Sequence, residues 1–490
     1  MAQDLTDAIR YSNDNIYGTA RYRGVSGAFG ALGGDLSAIS VNPASSAVFT
    51  TSYFGISLSN LNTDNDVSYF DGNSSSSDSN FDFNQGGAVF IFNNYSQNSP
   101  WKKMALAINY DQVSDFDNDW VAHGTNTNSN LNLTNSIASY FLTYANGLRL
   151  DEISAFPGES YSEAYAEIGT YYGYGNQQAF LGYESYILEP VNDTDNNTSY
   201  TSNIAAGDFN HRYNYVANGY SGKLSFNLAT QYEDNFYFGL NINTHFFDYD
   251  RFTALRETNN NAGSTINSVY FENILSTTGS GISFQLGGIA KLTNNLRLGL
   301  TYNTPTWYKI NDETTQYIST SGTESTIVNP NIINVFEEYK LKTPGKITGS
   351  LAYVFGKKGF LSFDYSRKDY SNIKFKPTSD SYFSEQNNII QNNLKAASTY
   401  KIGGEYRLKQ WSFRGGYRFE ESPYEDDNFY GDLTGYSLGL GYNFGNARID
   451  LSFDQSQRDY NYQFYNVGLT EAAKIDSKTS NIVLSFGLNL

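Results

Sequence analysis

The sequence predicts an all-β protein: a 14-stranded antiparallel transmembrane β-barrel with an N-terminal plug and a helical extracellular loop. Three observations predict it. Apolar residues alternate with small or polar ones over many short segments. The connections between those segments alternate between short and long. The composition is heavy in strand-forming aromatics, with 42 Tyr and 34 Phe in 490 residues.

The alternation is clearest near the end of the chain. Leu438, Leu440, Tyr442 and Phe444 share one face, with Ser437, Gly439, Gly441 and Asn443 on the other. Ile482, Leu484, Phe486, Leu488 and Leu490 repeat the pattern. Period two means a strand with one apolar face, and an opposite face of small or polar residues suits a barrel lumen. Tyr and Phe favour strands, and aromatic girdles mark both interfaces of a membrane barrel. No uninterrupted apolar run reaches helix-spanning length, which excludes a helical membrane protein. A barrel escapes that test because only every second residue faces lipid.

Taken in order, residues 1–50 are rich in Gly and Ala, with Gly24, Gly27, Gly30, Gly33 and Gly34 close together. Such small residues permit tight packing of a plug inside a barrel, and equally its movement. Residues 51–490 then form the barrel. Its strands fall at 52–60, 86–93, 103–112, 220–232, 236–250, 278–292, 296–308, 336–355, 359–375, 396–407, 411–420, 432–444, 447–462 and 479–490. Tight connections occur at 233–235, 293–295, 356–358, 408–410 and 445–446. Long polar ones span 61–85, 113–219, 251–277, 309–335, 376–395, 421–431 and 463–478. Short turns at one end and long loops at the other mark an outer-membrane barrel, with both termini periplasmic. Met1-Ala2-Gln3-Asp4 lacks a basic and apolar signal segment and reads as a start from which a signal peptide was removed.

The insertion at 113–219 carries helical spacing. Ile137, Phe141, Tyr144 and Leu148 share one helix face, and Ser160 with Glu163 forms a capping box opening a second helix through Ile168. Phe180, Tyr183 and Ile187 mark a third. Phe141, Tyr144, Leu148, Phe180 and Tyr183 are either the core of an extracellular cap or the lining of a groove for an apolar ligand. Strand phase also places charges in the lumen: Lys401, Glu405, Arg407, Arg414, Arg418, Arg448 and Asp450. One reading is a salt network holding plug to wall, through Asp35; the other is a cation that meets a ligand carboxylate.

Enzyme chemistry finds no support. The three histidines, His123, His211 and His245, lack metal-ligand spacing, with the first two in the long loop. No cofactor or metal is expected. The absence of cysteine excludes a thiolate site, and a net charge of −18 without a Lys/Arg block argues against nucleic acid.

The segment Gly27-Ala-Phe-Gly-Ala-Leu-Gly-Gly-Asp-Leu-Ser-Ala-Ile-Ser-Val-Asn-Pro-Ala44 resembles the N-terminal hatch of the FadL family, outer-membrane long-chain fatty-acid transporters. Leu298 to Tyr302, Thr343 to Lys346 and Ser350 to Tyr353 add to the resemblance. So do Gly403 to Tyr406, Arg414 to Tyr417 and Ser422-Pro423, all in order along the chain. The family barrel also has fourteen strands. The resemblance implies a hatch carried by Gly33, Gly34, Asp35, Asn42, Pro43 and Ala44, and a hydrophobic small-molecule ligand. It also implies lateral exit into membrane lipid beside a kinked third strand. Met104 to Gln112 contains neither Gly nor Pro, so no kink is legible there, and Gly86-Gly87 is the nearest candidate for a break. Some relatives are instead subunits that dock other outer-membrane proteins in a secretion complex, and the long insertion would suit that role too.

Overall fold

The computed structural model describes residues 3–96, 98–323 and 325–490. Met1 and Ala2, half of the opening read as a processed start, lie outside them.

Fourteen antiparallel strands close a ring. β1 (Tyr53–Tyr69) pairs with β2 (Gly72–Asn93) on one side and with β14 (Ala472–Asn489) on the other. Between them run β3 (Trp101–Asp115, continued by Asn118–Asn126), β4 (Phe209–Tyr232), β5 (Phe236–Thr258) and β6 (Ile266–Lys291). Then come β7 (Leu296–Asn303, continued by Trp307–Gly322), β8 (Tyr339–Lys342, continued by Lys346–Val354) and β9 (Gly359–Asp369). β10 (Ala396–Leu408), β11 (Trp411–Glu420), β12 (Leu433–Asn443) and β13 (Ala447–Gln463) complete the circuit. Every segment read from alternation holds strand, though 304–306 and 343–345 interrupt two of them and a 3-10 turn, Tyr370–Asn372, ends the expected 359–375 early.

The wall is taller than the alternation reveals. The stretch 61–85 is no loop: only Phe70 and Asp71 separate β1 from β2. Its Ser, Asn and Asp residues leave both faces polar because this hairpin stands beyond lipid, so no hydrophobic period marks it. β5 and β6 likewise extend to 23 and 26 residues, well past the ~9–11 needed to cross a bilayer. They shrink the expected loop 251–277 to 259–265. Within 113–219, Asn118–Asn126 pairs with β4, which puts His123 and His211 on strands rather than in a loop. The true insertion is 127–208.

Facing follows the pleat. Leu240, Ile242, Leu298, Leu300, Leu438, Leu440 and Phe486 are exposed on the outer surface, while Asn241, Gly441 and Asp450 are buried within. Aromatic pairs mark both edges of the apolar band. Trp101 meets Tyr232 and Trp411 meets Tyr442 near the short turns, and Phe83, Tyr110 and Phe246 stack near the other edge.

The insertion folds as a cap over the long-loop end. Its helices are Ala138–Ala145, Tyr161–Tyr171 and Tyr174–Glu184. The Ser160/Glu163 capping box opens the second as expected, while the third ends before Ile187. Ser136 Oγ and the Ile137 N–H donate to Glu257 of β5 at 2.6 and 2.8 Å, and His211 Nε2 lies 2.9 Å from the same carboxylate. This buried cluster ties the cap to the wall. A further helix, Ser381–Asn393, lies in the connection 376–395, where a polar loop was expected, and buries Phe383 and Ile390.

Substituting Leu440, mid-band on the outer face of β12, with Arg should cost about 2–4 kcal/mol of folding free energy in lipid. Thr434→Arg, higher on the same exposed face, should cost under about 1 kcal/mol. Reversible unfolding in vesicles measures both, and equal costs would mean the band is misplaced.

Candidate functional site

The N-terminal segment fills the lumen. Its helices, Leu5–Arg10, Ala20–Arg23 and Ala38–Val41, and the turn Pro43–Val48 are too short to satisfy their own peptide groups. Inward side chains of the wall do it instead. Asp364 accepts the N–H groups of Phe29 and Gly30, each at 3.0 Å. Asn241 donates to the Ile39 carbonyl at 2.9 Å, and Gln285 to those of Ser40 and Val41 at 3.0 Å. Asn227 donates to Pro43, Arg297 to Leu32, and Lys103 to Ala47 and Phe49.

The hatch residues read from sequence come together in this segment. Asn42 Nδ2 donates to the carbonyls of Gly30 at 2.8 Å and Gly288 at 3.0 Å, while its Oδ1 accepts the Ala44 N–H. Pro43 lies so close to Gly239 that a Cβ there would fall 2.3 Å from its carbonyl carbon. Gly33 and Gly34 both adopt positive φ, +65° and +69°, and the Gly34 N–H bonds the Ser45 carbonyl at 3.2 Å. That crossing joins the 33–35 and 42–44 loops. Asp35 accepts from Thr19 Oγ1 and the Ser37 N–H, inside the segment.

Asp35 therefore takes no part in the plug-to-wall ion pairs; Arg21 does. Glu405, fully buried, receives Arg21 at 3.3 Å, Arg407 at 2.6 Å and Arg414 at 2.6 Å, and Arg414 and Arg448 reach Asp450 at 2.9 and 2.5 Å. Arg23 adds a second bridge, to Asp454 at 2.6 Å. Arg418 pairs with Glu420 at 3.4 Å, and Lys401 is part-buried on the inward face of β10.

Above the segment lies a cavity of about 320 Å³, bounded by the first helix, the cap and the upper wall. Trp120, Tyr213, Tyr215, Tyr462, Arg10 and Arg251 line it. Asp7 holds Arg10. Burial alone would raise the Asp7 carboxyl, but Arg10 and Arg251 outweigh it and hold it below the ordinary carboxylate value. Of the five residues proposed from helical spacing, Tyr144 lines this cavity. Phe141 and Phe180 are fully buried in the cap's core and present no surface to a ligand, and Leu148 and Tyr183 pack against that core.

A second cavity, about 310 Å³, shares Arg10, Asn13, Tyr215, Tyr430 and Tyr460 with the first and reaches Ser114 to Asn118. There the wall is broken. The β2–β3 ladder stops at Gln85–Asp111, and β3 itself is interrupted at Phe116-Asp117. No Gly or Pro makes the break. A bulge at Val113 does, opposite one that leaves Asn84 without a β1 partner. Side chains span the gap, with Asn80 donating to Asp117 at 2.5 Å and Ser76 to the Asp119 carbonyl at 2.6 Å. Asn84 turns inward and clamps both the N–H and the carbonyl of Gly18, at 3.1 and 2.7 Å.

Sequence reasoning missed Arg21, Asn84, Asp364 and the aromatic cavity. The cavity had a signal: Tyr213 and Tyr215, like Tyr460 and Tyr462, alternate at period two on what proves to be inward-facing strand.

Residues 191–490 match the family model described as outer membrane protein transport protein (OMPP1/FadL/TodX). No curated protein matches the chain. Among solved structures, a Pseudomonas aeruginosa FadL homologue aligns with a TM-score of 0.58 at 13% identity, over 97% of this chain and 99% of its own. The Pseudomonas putida toluene transporter TodX aligns at 0.51 and 13%, over 98% and 100%. The monoaromatic hydrocarbon channel CymD aligns at 0.52 and 12%, over 98% and 99%. Identities this low speak for a shared fold.

Removing the Asn42 amide should loosen the hatch without unfolding the barrel. Asn42→Ala deletes three hydrogen bonds in a buried setting, each worth about 0.5–1.5 kcal/mol. Amide exchange should accelerate across residues 30–48 and stay slow in β12–β14. Uniformly accelerated exchange would mean the residue supports the whole barrel.

Proposed function

The chain belongs to the outer-membrane transport protein family of FadL and TodX, and from that premise we propose that it admits hydrophobic small molecules through a plugged barrel. The family's members are transport channels of the outer membrane. In this reading residues 1–50 are the hatch of a barrel formed by 51–490, the short turns and both termini are periplasmic, and the cap faces outward. The chain acts as a conduit and performs no chemistry on its cargo. Long-chain fatty acids are the cargo the hatch resemblance implies, and monoaromatic compounds are the cargo that TodX and CymD carry in their names.

One observation carries the proposal: a cavity under the cap runs on to a stretch of wall without backbone pairing. A docking scaffold has no need of either. Cargo enters beneath the cap, rests in the upper cavity, and leaves through the gap between β2 and β3 once Asn84 releases Gly18. The gap begins beside the row of Phe83 and Tyr110, so exit is into the outer edge of the lipid band. A docking role rests on a different feature, the exposed apolar side chains of the cap, among them Leu131, Phe156 and Tyr171.

A disulfide tests the hatch, because the chain has no cysteine of its own. Ser26 Oγ and Ser437 Oγ lie 2.8 Å apart across the plug–wall boundary. The S26C/S437C disulfide locks only the anchored part of the plug, so oxidation should leave uptake of labelled fatty acid and labelled monoaromatic at the reduced level. Deleting residues 1–40 should leave a folded barrel that conducts small ions in planar bilayers yet loses productive uptake. Uptake stopped by the disulfide would place the exit through the anchored part of the plug, uptake unaffected by the deletion would remove the hatch mechanism, and loss of a co-purifying protein instead would favour docking.

A further inference from the structure

The upper cavity is too specific in its lining for a generic hydrophobic cargo. Among the described residues that bound it, thirteen are aromatic, ten of them tyrosine, and three are aliphatic. Trp120 stacks on Tyr215 at 4.8 Å between centroids, with planes 6° apart, and Tyr462 stands edge-on to both at 5.0 and 5.3 Å. Rings so arranged offer faces and edges to another ring, and phenol hydroxyls to a polar substituent. They offer an acyl chain little beyond area.

The charges are as selective. Arg10 is paired with Asp7. Asp4, the one carboxylate bounding the cavity among the described residues, caps its own helix by accepting the N–H groups of Thr6 and Asp7, and also accepts from Asn466. Arg251, inward on β5, has no carboxylate oxygen within 4.0 Å among the described residues. A guanidinium with no carboxylate in contact, beside stacked rings, is complementary to one carboxylate on a flat apolar body.

We propose that this cavity binds small aromatic carboxylates, one or two rings bearing a single anionic group. The inference rests on the transport reading above and narrows its cargo. At about 320 Å³ the space lies at the small end of ligand pockets and suits a compact ring system better than an extended chain. Arg251 takes the carboxylate and the Trp120–Tyr215–Tyr462 box takes the ring. The aliphatic carboxylates have the charge without the stacking, and neutral arenes the stacking without the charge.

Calorimetry on the full chain in nanodiscs, with empty nanodiscs as blank, separates these cases. The probes are 2-naphthoate, 2-naphthylmethanol and decanoate. The naphthoate should bind about tenfold more tightly than either of the others, as one charge-assisted hydrogen bond allows. Arg251→Gln should bring the naphthoate down to the level of the alcohol and leave the alcohol unchanged, which also reports that the variant is folded. Decanoate binding as tightly as naphthoate in the wild type, needing no variant, overturns the proposal. So does an Arg251→Gln chain with undiminished preference for the acid. Entry of the same compounds into cells with and without the chain tests the parent reading separately. Selective binding without faster entry would sink transport and keep the site, and decanoate entry without selective naphthoate binding would do the reverse.

Discussion

A peptide segment placed inside a barrel must find partners for its N–H and C=O groups, and the rest of this structure depends on how the wall supplies them. Buried peptide groups left unpaired cost too much to persist. The plug makes only short helical turns, so it cannot supply its own. The wall answers with amide, carboxylate and cationic side chains set at every second position: Asn227, Asn241, Gln285, Asp364 and Lys103 each reach a plug peptide group. Where no side chain is needed, glycine lets backbone meet backbone. Gly299 comes so near Gly30 that an added Cβ would fall 2.3 Å from its carbonyl oxygen. This explains why the lumen face reads as small and polar, and why a Gly/Ala-rich segment with few large apolar residues is ordered at all.

The same bookkeeping explains the one place where the wall gives way. A strand ladder fixes its neighbours through evenly repeated peptide hydrogen bonds, and losing them within lipid would be prohibitive. The β2–β3 gap begins at the outer aromatic row, where water substitutes. Bulges on both flanking strands end the pairing, and Asn80, Ser76 and Asn84 replace peptide bonds with side-chain ones. Each such bond is worth about 0.5–1.5 kcal/mol net against water, and each is broken by one rotamer change rather than by moving a strand. A closed wall thereby acquires a segment that opens cheaply.

Much of the fold was legible because a barrel strand in lipid obeys a strict rule: one face apolar, the other not. All fourteen strands, the sorting of short and long connections, the capping box at Ser160 and the inward charges followed from that rule or from capping chemistry. What escaped lies where the rule lapses. The polar β1–β2 hairpin and the upper halves of β3 to β7 stand outside lipid, so both faces read as loop. In Ser381–Asn393 the helical period is carried by only a few apolar residues, Phe383 and Ile390 among them, in an otherwise polar stretch. Asn84 is inward through a bulge, which no periodicity can register. The choice of Arg21 over Asp35 as the plug's partner for the wall depends on which way a four-residue helix points. The aromatic cavity was hidden for a related reason, since Tyr213 and Tyr215 fell in what looked like loop, and their period of two went unread.

The energetics divide the plug into unequal parts. Residues 19–49 are held by buried contacts: Arg21 on Glu405, Arg23 on Asp454, Ala20 on Ser485, Ser26 on Ser437 and the amides around Asn42. Breaking any buried ion pair on one side leaves an uncompensated charge, a penalty of about 3–5 kcal/mol. Residues 3–18 are held unevenly: Ala8, Ile9 and Tyr11 are buried in a core with Tyr11 stacked on Phe247, while 13–15 rest on more exposed contacts. Asp14 meets Lys346 at 3.0 Å and Lys368 at 3.3 Å with its side chain 46% exposed, so water and salt screen both pairs. Asn13 and Asn15 make single long side-chain bonds, at 3.5 and 3.0 Å. It is this lightly held stretch, through Asn13, that borders both cavities, and Gly18 that meets Asn84 at the gap. Passage from cavity to gap therefore calls for displacing the cheap part of the plug only. The anchored part can stay in place and keep the short-turn end sealed while the cargo leaves sideways.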